Sequence, residues 1–180
     1  MINKNFYTRV IFLQIFLAAS VPASYAFAQS RDAGDCVETQ ANPDFKEYDT
    51  EPFNLLVNKR SLIDGKNHFS QKISHAFDEL LLKTSAIKSK KDFEELRQRL
   101  LSGPAPKPRF YKNSVTQSEY IFYEICQAHA CNTTNLIMLY APRSQSMAIR
   151  LSINEKVEFL EDKSASTRLC LESVIRKLRK

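Results

Sequence analysis

The sequence predicts an α+β fold in which an antiparallel β-sheet meander is flanked by helices. Three observations support this prediction. Apolar residues recur with helical spacing before residue 101, apolar runs typical of strands follow from residue 119, and residues 167–180 are amphipathic. Because helices come first, strands follow together and a helix closes the chain, the two kinds of element are segregated as in an α+β domain.

The N-terminus has the features of a secretory signal peptide over residues 1–28. Lys4 and Arg9 give a positive start, residues 10–19 are mainly apolar, and residues 26–28 (Ala-Phe-Ala) form a cleavage site of the small-x-small type. The apolar run is shorter than the roughly 20 residues that a membrane span needs, so cleavage is favoured over a membrane anchor. The sequence therefore predicts a periplasmic or secreted protein.

Charge and composition argue against several classes of function. The 180-residue chain has a formal net charge of +6, and since the signal segment contributes Lys4 and Arg9 but no acidic residue, the mature chain carries +4. This mild basicity predicts no nucleic-acid binding, and no later segment is apolar enough for a stable membrane anchor. With Gly34, Gly65 and Gly103 as its only glycines, the chain has no Gly-rich phosphate loop, and it also lacks a nucleophile elbow and a metal motif. We therefore predict no enzymatic activity, catalytic residue, metal or cofactor.

Residues 29–91 are predicted to form a polar arm followed by an amphipathic helix. The arm, residues 29–52, is polar and interrupted by prolines, which is typical of irregular structure. The helix is indicated by apolar residues that recur on one helical face. These residues are Phe69, Ile73, Ala76, Phe77, Leu80 and Leu81.

Residues 92–180 are predicted to form the main domain, which begins with a second, shorter helix. Its apolar face consists of Phe93, Leu96 and Leu100. Ser89 is placed to cap this helix, and Gly103 is expected at its C′ position. The three prolines of residues 104–108 then predict a stiff connector.

The strands follow the connector and lead to a closing helix. Residues 119–126 are rich in Tyr, Ile and Phe, residues 136–141 form a nearly continuous apolar run, residues 147–153 alternate, and residues 157–160 form a short last strand. Residues 167–180 end in basic side chains, which suit the negative end of a helix dipole. Consecutive strands joined by short turns predict the antiparallel meander.

The four cysteines, Cys36, Cys126, Cys131 and Cys170, predict disulfides because an even number in an exported chain favours oxidation. Four cysteines allow three pairings. Cys126–Cys131 is favoured because the two residues are close in sequence, which leaves Cys36–Cys170 to tie the ends of the mature chain together. The smaller ring would be worth about 2 kcal/mol.

A loop closed by Cys126 and Cys131 is the most informative feature of the sequence. Its inner residues are Gln127, Ala128, His129 and Ala130. A bond between its ends would hold His129 on a rigid turn that loses little entropy on docking. A plain alternative is a staple at the end of a hairpin without a binding role. A metal site of His129 and two thiolates is another alternative, disfavoured by the expected oxidation and the lack of a fourth ligand.

This segment resembles the periplasmic inhibitors of vertebrate (C-type) lysozyme. Their hallmark is a Cys-x-x-His-x-Cys loop between two strands of an antiparallel sheet, present here as Cys126, His129 and Cys131. The resemblance covers roughly residues 92–162, with the short helix, the proline-containing link and the strands on both sides of the loop. The family loop usually has Lys and Pro before the His and Asp after it. In this chain the corresponding residues are all uncharged, namely Gln127, Ala128 and Ala130.

The resemblance implies an exported protein inhibitor that belongs to the bacterial envelope. Its loop would plug the active-site cleft of a lysozyme or related glycan-cleaving muramidase, with His129 reaching the two catalytic carboxylates. Since the family is often dimeric, the resemblance also allows a homodimer. The alternative is a non-inhibitory envelope interaction or structural protein of the same fold, whose basic C-terminus meets acidic cell-wall or lipid surfaces.

Overall fold

The computed structural model describes residues 34–57, 68–162 and 164–179, and within its second helix it describes no side chain before Gln71. The predicted signal peptide, residues 1–28, lies outside the described residues. The described elements are, in order, β1 (Cys36–Thr39), a 3-10 helix (Pro43–Tyr48), α1 (Pro52–Leu56), α2 (His68–Leu81), α3 (Lys90–Leu100), β2 (Arg109–Asn113), β3 (Glu119–Cys126), β4 (Thr134–Ala141), β5 (Ser146–Ile153), β6 (Lys156–Glu161) and α4 (Ala165–Leu178).

The six strands form one sheet in the order β1-β2-β3-β4-β5-β6. Each neighbouring pair is antiparallel. The predicted strands at residues 119–126, 136–141, 147–153 and 157–160 correspond to β3, β4, β5 and β6 within two residues at each end. The predicted α+β fold with an antiparallel meander is therefore confirmed.

Helices cover both faces of the sheet. One face carries Ile121 and Met138 and packs against the 3-10 helix, α1, α2 and α3. The other face carries Phe122 and Leu139 and packs against α4. Because neighbouring residues of a strand point to opposite faces, burial of both faces explains the nearly continuous apolar run of residues 136–141.

The two helices predicted in the first half of the chain are α2 and α3. Ile73 and Phe77 of α2 are fully buried, as their spacing predicts, whereas the side chain of Phe69 lies outside the described residues. Ser89 caps α3, since its Oγ accepts a hydrogen bond from the backbone N–H of Asp92 at 3.2 Å. Within the described ranges, no helix is long and apolar enough to cross a membrane.

The predicted polar arm contains regular structure, which corrects the expectation of an irregular segment. Strand β1 pairs with β2, with Cys36 opposite Asn113. The 3-10 helix buries Phe45 and Tyr48 in the same core as the first face of the sheet. Of the four residues of β1 only Cys36 is buried, so distant pairing fixes this strand and no local pattern marks it. The domain boundary placed at residue 91 stays a prediction.

Strand β2 was not predicted from the sequence. Its consecutive residues Phe110 and Tyr111 are both buried, one in each of the two cores. A strand that is buried on both faces does not alternate, and five residues after a proline-rich link are too few to stand out. The strand nevertheless connects β1 to the rest of the sheet.

A disulfide joins β1 to α4. Cys36 and Cys170 are bonded, with their Cα atoms 5.4 Å apart. Beside this bond, Lys177 Nζ lies 2.7 Å from Asp35 Oδ2, and the Ser173 hydroxyl donates a hydrogen bond to the same carboxylate. The hydrogen bonds from Lys177 and Ser173 lower the pKa of Asp35. The first strand is thus covalently and electrostatically attached to the last helix.

Candidate functional site

The loop between β3 and β4 is closed by a disulfide. Cys126 is the last residue of β3, and Thr134 is the first residue of β4. Cys126 and Cys131 are bonded to each other, with their Cα atoms 4.9 Å apart. The predicted disulfide-closed loop between two strands is therefore confirmed, and we call residues 126–131 the disulfide loop.

The main chain of the disulfide loop forms a compact turn. The Gln127 N–H donates to the Thr134 carbonyl at 3.0 Å, and the Ala130 N–H donates to the Gln127 carbonyl at 3.0 Å. The Thr134 N–H in turn donates to the Ala130 carbonyl at 2.8 Å. These hydrogen bonds and the disulfide fix the base of the turn. Residues 128 and 129 form its tip.

The end of α3 holds the disulfide loop from outside. The Gly103 N–H donates to the Cys126 carbonyl at 3.0 Å, and the Ala128 N–H donates to Ser102 Oγ at 3.1 Å. Ser102 Oγ is itself positioned by donating to the Arg99 carbonyl at 2.7 Å. Both contacts are made to the backbone of the loop, so they do not depend on its side chains as long as position 128 is not proline, which has no N–H to donate.

Arg99 adds a side-chain contact to this attachment. Its Nε donates to Gln127 Oε1 at 2.8 Å, and its terminal nitrogen donates to Thr134 Oγ1 at 3.4 Å. Arg99 and Ser102 were not predicted as site residues, because they lie more than 20 residues before the loop, in and just after α3. No local pattern could have identified them.

Gly103 is required for a close approach, and the expected role at the helix C′ position is wrong. Leu101 is the C-cap of α3, and among the described glycines only Gly34 has a positive φ. A Cβ on Gly103 would lie well inside contact distance of the Cys126 carbonyl oxygen. The absence of a side chain therefore lets the end of α3 reach the base of the disulfide loop.

We expect Gly103→Ala to lower the free energy of unfolding by about 2 kcal/mol, because the added methyl group would displace the backbone at the end of β3. Chemical denaturation measures this change. Ser102→Ala is the matched control, since it adds no bulk while it removes the acceptor for the Ala128 N–H and the hydroxyl that donates to the Arg99 carbonyl, and it should cost about 1 kcal/mol. Equal stability of Gly103→Ala and the wild type would show that the contact does not constrain the loop.

His129 lies at the tip of the disulfide loop. Its backbone has φ of 61°, in the left-handed region that residues other than glycine seldom adopt, and its side chain is exposed. Within the described part of the chain, the imidazole takes part in no hydrogen bond or ion pair. The turn thus holds a histidine in an uncommon backbone conformation with both ring nitrogens open to a partner.

The metal alternative for this loop requires two free thiolates beside His129. Both sulfurs are used in the Cys126–Cys131 bond, so no thiolate is available beside His129. In residues 34–57, 68–162 and 164–179, no group of three or more His, Cys, Asp or Glu side chains is placed to hold a metal ion. The site offers an imidazole, peptide groups and small side chains.

The turn between β5 and β6 lies beside the disulfide loop, since the Asn154 N–H donates to the Thr133 carbonyl at 2.8 Å. Lys156 follows this turn, and Lys107 precedes β2 at the same end of the sheet; both are exposed. Glu155 is the acidic residue of the turn. The surroundings of the loop thus include both signs of charge, with an excess of cations.

Comparison with known proteins adds one finding to this geometry. A family model described as inhibitor of vertebrate lysozyme (Ivy) matches residues 86–177, which include α3, the disulfide loop and all strands except β1. No curated protein and no solved structure gives a significant match to the chain.

Proposed function

The chain belongs to the family of inhibitors of vertebrate lysozyme, because the family model matches more than half of it, and from this premise we propose that its disulfide loop plugs the active-site cleft of its target. The target in this proposal is a vertebrate C-type lysozyme or a related muramidase. One observation carries it: His129 is exposed at the tip of a loop that a disulfide closes and α3 holds in place.

The chemistry of the target supports a role for the imidazole. Lysozyme has two carboxyl groups in its cleft, one protonated through a raised pKa and the other ionised. A neutral imidazole can accept a hydrogen bond from the first and donate one to the second, and a protonated imidazole would match the negative charge. His129 would therefore occupy the position of the glycan without any bond being formed or broken.

The fixed shape of the disulfide loop supports tight binding. A loop that is already ordered loses little conformational entropy when it enters a cleft. Gln127 is held by Arg99, and Ala128 and Ala130 have no polar side-chain atoms, so His129 is the one ionisable residue inside the loop. The side-chain contribution of the loop to affinity is accordingly concentrated in His129.

The proposed location is the periplasm or the exterior of the cell. Disulfides persist in oxidising compartments, and the described part of the chain contains two of them. The signal-like residues 1–28 agree with this location. An inhibitor there would meet a lysozyme before that enzyme reaches its cell-wall substrate.

A lysis assay with the purified mature protein tests the proposal directly. We expect it to inhibit vertebrate lysozyme acting on bacterial cell walls, and to compete with a chitin oligosaccharide that occupies the cleft. Binding that is unaffected by the oligosaccharide would contradict the plug mechanism. Failure to inhibit any lysozyme or muramidase would favour the non-inhibitory envelope protein.

We expect the double variant Cys126→Ser/Cys131→Ser to raise the inhibition constant about tenfold, because the opened loop must be ordered when it binds. Its free energy of unfolding should fall by about 2 kcal/mol, as expected for a small ring. Inhibition assays and denaturation on the same preparation separate the two effects. Unchanged inhibition would mean that the hydrogen bonds alone keep the loop in its binding shape.

A further inference from the structure

We propose that an apolar groove between α1 and α3, here called the flanking groove, forms a second contact with the enzyme whose cleft receives the disulfide loop. This inference rests on the proposed function and extends it to a further surface. Its occupant would be an apolar side chain on the rim of the enzyme cleft. The groove is lined by three apolar residues, Phe53, Val57 and Leu101, and by the polar or charged residues Glu94, Arg97, Gln98 and Ser102.

The flanking groove is an exposed apolar surface of defined size. Its volume is about 420 Å³. Phe53 is 45% exposed and Val57 is 38% exposed, and their spacing of four residues places them on the same side of α1. Leu101, which is 8% exposed, contributes from the end of α3. Phe53 and Val57 are thus exposed apolar side chains that a partner protein could cover, while Leu101 forms the floor of the groove.

The groove is rigid because α1 is fastened to the neighbouring helices. The Arg97 guanidinium donates to the Leu56 carbonyl at 2.6 Å and to Asp78 Oδ1 at 2.7 Å, which links α1, α3 and α2. Leu55 and Leu56 on the inner side of α1 are fully buried. Phe53 is therefore held outward by a helix whose inner side is already packed.

Ser102 makes the groove continuous with the disulfide loop. It lines the groove, and its Oγ accepts the hydrogen bond from the Ala128 N–H at 3.1 Å. Any protein surface that covers the loop on this side therefore meets Ser102 and Leu101 first and then Phe53.

The size of the loop requires contacts of this kind. A stable interface buries about 800 Å² on each partner and involves roughly 20–30 residues a side, whereas the disulfide loop has six residues. Of the surfaces beside the loop, the β5–β6 turn offers polar and charged residues, namely Asn154, Glu155 and Lys156. The flanking groove offers an aromatic ring, which is the residue type enriched at interface centres.

Helix α1 lies before the segment that matches the family model, so one side of the groove is formed by residues outside that match. The family match begins at residue 86, so Phe53 and Val57 lie outside it while Leu101 and Ser102 lie inside. The N-terminal part of this chain thus adds apolar area next to the family loop. Because Gln127, Ala128 and Ala130 are uncharged, such area would supply binding energy that these loop side chains do not.

Phe53→Ala tests the inference in a lysozyme inhibition assay with the full mature protein. We expect the inhibition constant to rise about tenfold, mainly through faster dissociation. Val115→Ala is the matched control, because Val115 is 64% exposed in the β2–β3 turn, at the end of the sheet opposite the disulfide loop. Both variants should stay folded, so their inhibition constants are compared well below the melting temperature of each. Val57→Ala is a second test of the groove, and we expect it to raise the inhibition constant several-fold.

The outcomes separate this inference from the function on which it rests. If the wild type inhibits, His129→Ala inhibits poorly and Phe53→Ala matches Val115→Ala, the flanking groove is not a contact surface and only this inference fails. If the wild type does not inhibit or bind lysozyme, both fail. In the double variant Phe53→Ala/His129→Ala we expect the two factors to multiply, since the residues are not in contact.

Discussion

His129→Ala is expected to raise the inhibition constant at least thirtyfold, equivalent to about 2 kcal/mol, which is typical of a central interface residue. The imidazole has no partner within the described part of the chain, so its removal leaves no intramolecular group unsatisfied. The fold should therefore be unchanged in circular dichroism and in thermal melting. A lysozyme lysis assay with graded inhibitor concentrations measures the inhibition constant.

Two further variants test whether the loss of inhibition is due to the imidazole of His129. Because φ of His129 is 61°, His129→Asn tests the loss of the imidazole in a residue that tolerates the left-handed backbone, and it should also weaken inhibition. His75→Ala changes an exposed histidine of α2, whose Nδ1 lies 3.5 Å from Glu79, and it should leave inhibition unaltered. Full inhibition by both His129 variants would rule out the plug mechanism.

Cys36→Ser/Cys170→Ser is expected to lower the free energy of unfolding by about 4 kcal/mol, because the bond closes a loop between residues 134 positions apart. For a domain of this size the melting temperature should fall by roughly 10 °C. The loss comes mainly from the greater freedom of the unfolded chain. Thermal and chemical denaturation measure this loss of stability. A melting curve equal to that of the wild type would show that the Cys36–Cys170 bond does not stabilise the fold.

The two disulfides should differ in what their removal affects. The Cys36–Cys170 bond joins β1 to α4, on the sheet face opposite α1, α2 and α3, so its loss should leave the inhibition constant unchanged wherever the protein stays folded. Loss of the Cys126–Cys131 bond should weaken inhibition and cost less stability. If the Cys36→Ser/Cys170→Ser variant inhibited more weakly at a temperature where it is folded, the β1–α4 attachment would influence the shape of the disulfide loop.

Local patterns were sufficient to predict most of the elements. The period of Ile73 and Phe77 identified α2, the alternation of residues 147–153 identified β5, and the capping residue Ser89 marked the start of α3. In each case the information lies within one element, since burial of one face determines which positions are apolar. The spacing of Cys126 and Cys131 likewise located the disulfide loop within a single turn.

The remaining features depend on distant contacts and leave little trace in the local sequence. Strand β1 exists because it pairs with β2, which lies more than 70 residues later. The role of Gly103 depends on the carbonyl of Cys126, and its neighbours suggested only the end of a helix. The exposure of Phe53 depends on how Arg97 and Leu56 fix α1. Such contacts are set by tertiary packing, which no short window of sequence contains.

The attachment of the disulfide loop has a consequence for how its binding preference can change. The contacts from Ser102 and Gly103 are made to peptide groups of the loop, at the Ala128 N–H and the Cys126 carbonyl. Every residue except proline, which lacks the N–H, keeps these peptide groups, so any other side chain can be exchanged at positions 128–130 without loosening the attachment. Selection, or a designed library, can therefore retarget this loop to another enzyme while the scaffold that presents it is kept.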